Sequence, residues 1–270
     1  ASLKGSRIFP DRKVTIEMTD GLLIPARSEK SVFSAWLISF IGAIAIFITL
    51  PLLPMKINPY MEVLKVLPQG ILNTFIVTLL SISVALLVGF MVGLGRISRN
   101  GIINQGATIY VEVIRGIPLL VHLFYIYYAL GHIIQVPRLA AAVIAMGVCY
   151  GAYIGEIFRA GIQSISRGQY EAAISLGMTR SQALRYVMIP QTIKIILPPL
   201  GNEFIALLKD SSLVSIVAVS DLLRTGREYA STSFYYFETY SYIAIVYLIL
   251  TLFLSRLVGI MEERLKRNER

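Results

Sequence analysis

The chain has 270 residues, of which 56% are hydrophobic and only 15% charged, with a net charge of +9 and a mean hydropathy of +0.69. Soluble domains carry about a quarter charged residues, so the composition excludes an ordinary soluble fold and points to helices that cross a bilayer. The basic balance does not argue for nucleic acid, because Lys and Arg are dispersed and no basic face with interleaved aromatics occurs.

In chain order, residues 1–30 form a hydrophilic tail, rich in both signs of charge and without an apolar core, so no secretory signal is expected there. A helical crossing takes about 20 mostly apolar residues. The first candidate is Ser31 to Met55, an additional N-terminal transmembrane helix that Pro51 and Pro54 should stop. The second, Val66 to Gly95, carries Gly89 and Gly93 four apart on one face, a pattern that permits close helix approach. Plain packing is the reading preferred over a dimer seam. Further candidates are Gly116 to Pro137, Leu139 to Gly155, Ile195 to Leu208 (interrupted by Glu203) and Thr239 to Ser255. The expected fold is therefore all-α and integral to the membrane: one extra helix at 31–55, then a five-span core at 66–265. Cys149, the single cysteine, lies in an apolar run and is read as packing, with no disulfide.

Topology follows from charge. If the polar segment near 160–188 is cytoplasmic, alternation of six spans puts both termini there as well. That side then holds the tail cations, Arg96, Arg99, Arg159, Arg167, Arg180 and Arg185, and the basic cluster from Arg256 to Arg270. The opposite side holds fewer: Lys56, Lys65, Arg138, Lys209, Arg224 and Arg227. Lys and Arg concentrate in short cytoplasmic loops, so both termini are expected inside.

The segment 165–190 reads like soluble protein between apolar stretches. Ser166 and Gln169 have capping-box spacing, Gly177 is a left-handed stop, and Thr179 with Gln182 repeats the capping box. A helix, a turn and a second helix running toward Pro190 are predicted, with Leu184, Val187 and Met188 on one face. By itself this could be an interfacial helix that anchors the loop.

The full spacing, however, resembles the EAA loop of ABC importer permeases: Glu171-Ala172-Ala173, then Gly177, then Val187-x-Ile189-Pro190. Val187 and Ile189 stand where the family usually has Ile and Leu, a departure that keeps the positions apolar. Around it, "NTFIVTLL", "YVEVIRGIPLLVHLFYIYYAL", "GAYIGEIFRAGIQSI" and "PPLGNEFIALLKDSSLVSIV" are similar to the polar amino acid subfamily, whose members import His, Arg, Lys, Glu, Gln and related substrates. The resemblance covers about residues 70–265. It implies a type I importer permease fold in a bacterial cytoplasmic membrane, docking of Glu171, Ala172, Ala173, Gly177 and Pro190 on a separate ATPase dimer, a second permease chain, and an extracytoplasmic binding protein. ATP and Mg²⁺ belong to the ATPase; no cofactor or metal is expected on this chain.

The residues agree with that division of labour. No G-x-x-x-x-G-K-[ST] occurs, and "GFMVGLGR" lies inside an apolar span without a phosphate-binding lysine. His122 and His132 lie far from Cys149 and are read as polar positions on a span, so no enzyme is expected. An ion-coupled amino acid carrier is the alternative; it would call for inverted repeats, and none is evident.

Ionisable residues inside spans mark pathways, which singles out Glu112, Arg115, Glu156 and Glu203. Gly116 and Pro118 should break a helix beside Arg115, and broken helices offer backbone donors to a carboxylate. Glu112 and Arg115 could instead pair at i, i+3, and Glu156 could accept a substrate ammonium or pair with Arg159. Asn73 and Thr74 could meet polar groups of the substrate or cap their helix. The excess of carboxylates favours a zwitterionic or cationic amino acid.

Overall fold

Backbone N–H and C=O groups that face lipid must be satisfied within their own segment, which helices achieve. The computed structural model describes residues 29–52 and 59–267, and among these it contains no strand. The tail up to residue 28 and the stop expected at Pro54 lie outside the described residues. The chain divides into two compact units, residues 1–42 and 43–270. In the first, Trp36 stacks on Phe40 with ring centroids 5.1 Å apart.

The helices are α1 (Glu29–Thr49), whose last residues belong to the second unit, α2 (Pro59–Arg96), α3 (Gly101–Gly116), α4 (Leu119–Phe124, prolonged by tighter and wider turns to His132), α5 (Arg138–Gln163), α6 (Arg167–Ser175), α7 (Arg180–Gln182), α8 (Ile189–Asp210), α9 (Leu222–Ser233) and α10 (Tyr236–Arg267). Among the described residues, four helices are long and apolar enough to span: Ala35–Leu52, Pro59–Arg96, Arg138–Gln163 and Tyr236–Leu265. A fifth is the pair Gly101–Gly116 and Leu119–His132, bent by 99°. Two expectations change. The span expected from Gly116 to Pro137 starts at Gly101 and is broken in its middle, because Gly116 and Pro118 interrupt the hydrogen-bond ladder there. The span expected at 195–208 sits in α8, 22 residues long, but Lys194, Pro198, Pro199, Asn202 and Glu203 dilute its apolar character.

α5 is the central helix, packed against α2, α3, α4 and α8. Its contact with α2 is made by glycines. Cβ atoms placed on Gly147, Gly151 and Gly155 would fall 2.5, 2.7 and 2.8 Å from Cγ1 of Val84, Val88 and Val92. From the other side, a Cβ on Gly89 would meet Ile154 at 2.5 Å. Both series repeat every four residues, so valines of one helix fill the glycine gaps of the other along successive turns. Gly89 and Gly93 therefore serve packing within the chain.

α9 was not expected. Its N-terminus is capped by Asp221, whose carboxylate accepts from the backbone N–H of Leu223 (3.2 Å) and Arg224 (3.0 Å). Gly70 lets α2 approach this turn, since a Cβ there would lie 2.9 Å from the Leu222 Cα. Near the start of the same unit, Tyr242 of α10 donates its hydroxyl to the Phe47 carbonyl (2.8 Å) and packs on the Phe47 ring.

Candidate functional site

Where α3 breaks before α4, a cavity of about 460 Å³ opens against α5 and α8. Its polar walls are Arg115, Tyr150, Tyr153, Glu203 and Asp210, with Cys149 beside them. Helical periodicity brings these together: Glu203 and Asp210 are seven apart on α8, and Cys149, Tyr150 and Tyr153 share a face of α5. The Tyr150 hydroxyl donates to Asp210 Oδ2 at 2.8 Å. The Arg115 guanidinium lies over the Tyr153 ring, 4.9 Å from its centroid. No ion pair among the described residues uses Arg115, Glu203 or Asp210. One cation thus faces two carboxylates across a space large enough for an amino acid.

Other residues expected on a path have other partners. Glu112 is exposed on α3 and forms no ion pair with Arg115. Glu156 accepts from Arg96 Nη1 at 3.0 Å and from Arg159 Nε at 3.0 Å, and also pairs with Arg159 Nη2. Of the two partners considered for it, the structure supplies Arg159, with Arg96 added from the end of α2. Asn104 of α3 donates to the Arg96 carbonyl at 2.5 Å, so three helices meet at this knot. Asn73 donates to the Ser220 carbonyl (2.6 Å), and fully buried Thr74 accepts from the Leu222 N–H (3.0 Å). Both side chains hold the turn before α9.

The loop forms much as its spacing predicts. Gly177 has φ +85°, a conformation that glycine adopts without strain. The Met178 N–H returns to the Ala173 carbonyl at 3.2 Å and the Gly177 N–H to the Ile174 carbonyl at 2.9 Å. Thr179 and Gln182 make the reciprocal capping box, whereas Ser166 caps α6 with no side-chain bond. Past Gln182 the helix does not end at Pro190. A π turn, Ala183–Met188, carries it directly into α8. Buried Ala173 and Ala183 are small enough for α6 and this turn to close on each other. The outer surface presents Glu171 and Ala172, with Leu176 81% exposed and Tyr186 63% exposed.

Residues 85–267 match the family described as binding-protein-dependent transport system inner membrane component. The chain belongs to this family. It is a transmembrane permease of an ABC amino acid importer, with the type I fold. The glutamine transport system permease protein GlnP of Escherichia coli strain K12 is 36% identical over 75% of this chain and 94% of its own length. The probable glutamine ABC transporter permease protein GlnM of Bacillus subtilis strain 168 is 37% identical over 74% and 93%. Among solved structures, an amino acid ABC transporter with histidines matches at 41% identity and TM-score 0.73, over 78% of this chain and all of that one. The MetNI methionine ABC transporter, at 20% identity and TM-score 0.64, shares the fold.

Within this permease, Tyr150, Tyr153 and Asp210 are the polar cavity residues that sequence reading passed over. Asp210 had a signal: it falls two turns beyond Glu203 on the same face. The tyrosines had none, since aromatic residues in an apolar run ordinarily pack.

Proposed function

We propose that the chain is the channel-forming subunit of an ATP-driven importer, drawing a polar amino acid from an extracytoplasmic binding protein in a bacterial cytoplasmic membrane. Two permease chains form the channel, lipid surrounds it, and both termini face the cytoplasm. A separate ATPase dimer binds ATP and Mg²⁺ and hydrolyses the nucleotide; the permease holds no cofactor. The observation that carries this reading is the 165–190 loop, whose exposed apolar tip is joined through the π turn directly to α8. Force applied to the loop by a moving ATPase passes along α8 toward Glu203 and Asp210.

The cavity suits an amino acid in its zwitterionic form. Arg115 takes the carboxylate, while Glu203 and Asp210 take the ammonium or a cationic side chain. Charges act strongly in such a space because the effective dielectric is low. Arginine or glutamine is therefore preferred to glutamate. The test is uptake of the three by proteoliposomes holding the complete transporter. Asp210→Asn is expected to weaken arginine uptake about tenfold, since a charge-assisted hydrogen bond contributes roughly 1.5–3 kcal/mol. Preference for glutamate, or unchanged uptake in the variant, would show that the cavity does not select the substrate.

A further inference from the structure

Glu203 lines two cavities. Besides the one at the α3–α4 break, it borders a second of about 620 Å³ between α5, α8 and α10, whose polar walls also include Lys194, Asn202 and Glu262. Pro198 and Pro199 form part of the same wall. They lack backbone N–H groups, so the carbonyls of Lys194 and Ile195, four residues earlier, lose their ordinary helical donors. The cavity thus brings Glu203, Glu262, the Asn202 amide and Lys194 to one wall system. No ion pair among the described residues uses Lys194 or Glu203.

We infer that this second cavity is a separate amino acid station, reached from the first past Glu203. The inference rests on the importer reading above. An ammonium or guanidinium group binds on the side of Glu203 and Glu262, and the substrate carboxylate binds Lys194. Because Glu203 belongs to both walls, a cationic group can pass from one cavity to the other without losing its counter-charge. Unpaired charge in a membrane interior is costly, and a shared carboxylate removes that cost from the crossing. The two prolines beside it give α8 the local freedom to let a side chain past.

The test is equilibrium binding of radiolabelled L-arginine to the permease–ATPase complex in nanodiscs without binding protein, alongside ATP-driven arginine uptake by proteoliposomes that also contain the binding protein. The parent should hold two arginines per permease chain. Lys194→Gln with Glu262→Gln should leave one, lowering maximal uptake about fivefold while keeping the half-saturating concentration. Asp210→Asn should remove the other and raise that concentration. One arginine per chain in the parent, abolished by Asp210→Asn and untouched by the double variant, would overturn the second station and leave the first standing. Absence of uptake by the parent would instead overturn the importer reading on which both depend.

Discussion

Asp221 is wholly buried at the start of α9, and burial pushes its carboxyl up to about 6 from an ordinary 3.8, against the opposing pull of the Arg224 and Leu223 N–H groups and Arg227. Below pH 3.8 the carboxyl is protonated whether the chain is folded or not. Between there and about pH 6 only the folded chain keeps the proton, so raising the pH favours unfolding. Stability should fall across this window by up to about 3 kcal/mol and then level off. Thermal unfolding in detergent checks it: Asp221→Asn, which retains a capping oxygen, should lose that slope. Glu156 makes a contrasting case. It bridges Arg96 and Arg159, so Glu156→Gln should lower the unfolding temperature by several degrees with little change in arginine affinity. A large loss of affinity with unchanged stability would return Glu156 to the substrate path. At this scale the sequence showed which residues were ionisable within apolar runs, but not where their side chains would find partners. Arg115 and Glu203 reach the cavity because α3 breaks and α8 turns that face inward; Glu156 sits one turn from Arg159, a partner its spacing offered, and meets Arg96 of α2, which only the fold brings to it.

Helix–turn chemistry was the most legible feature of the chain. Gly177 and the Thr179–Gln182 box act through local geometry, and local geometry can be read from spacing. The continuation through Pro190 could not be read the same way, because a π turn shifts the hydrogen-bond register just before the proline. Gly177→Pro, whose ring requires φ near −65° where the turn has +85°, should reduce ATP-driven uptake at least tenfold at normal abundance. Gly177→Asn, tolerant of the left-handed region, should retain most of it; equal uptake in both variants would show that the turn does not transmit force. The α2–α5 seam gives a second test. Gly151→Leu should lower the unfolding temperature sharply, by about 1–3 kcal/mol or more in stability, because Val88 already fills the space. Gly106→Ala on α3, with open space around it, should be neutral or slightly stabilising.

At the scale of the molecule, long apolar runs announced the membrane fold, and α2, α5 and α10 appear where they were expected. α8 was expected as a shorter span; it is longer and more polar because it lines two cavities and continues into the loop. α9 escaped notice because it is short, amphipathic and outside any apolar run. Together these elements place one helix, α8, between the exposed loop and the charged cavities. If that helix carries work from an ATPase to the substrate, Ala172→Cys and Ser175→Cys should each crosslink to the ATPase subunit. The most direct test of the whole account is the energy source of uptake. Proteoliposomes containing the permease, its ATPase and its binding protein should accumulate radiolabelled arginine or glutamine when ATP and Mg²⁺ are supplied to the ATPase side, and should do so with proton and sodium gradients collapsed. Uptake that follows an imposed ion gradient and ignores ATP would contradict the account and make the chain a secondary carrier.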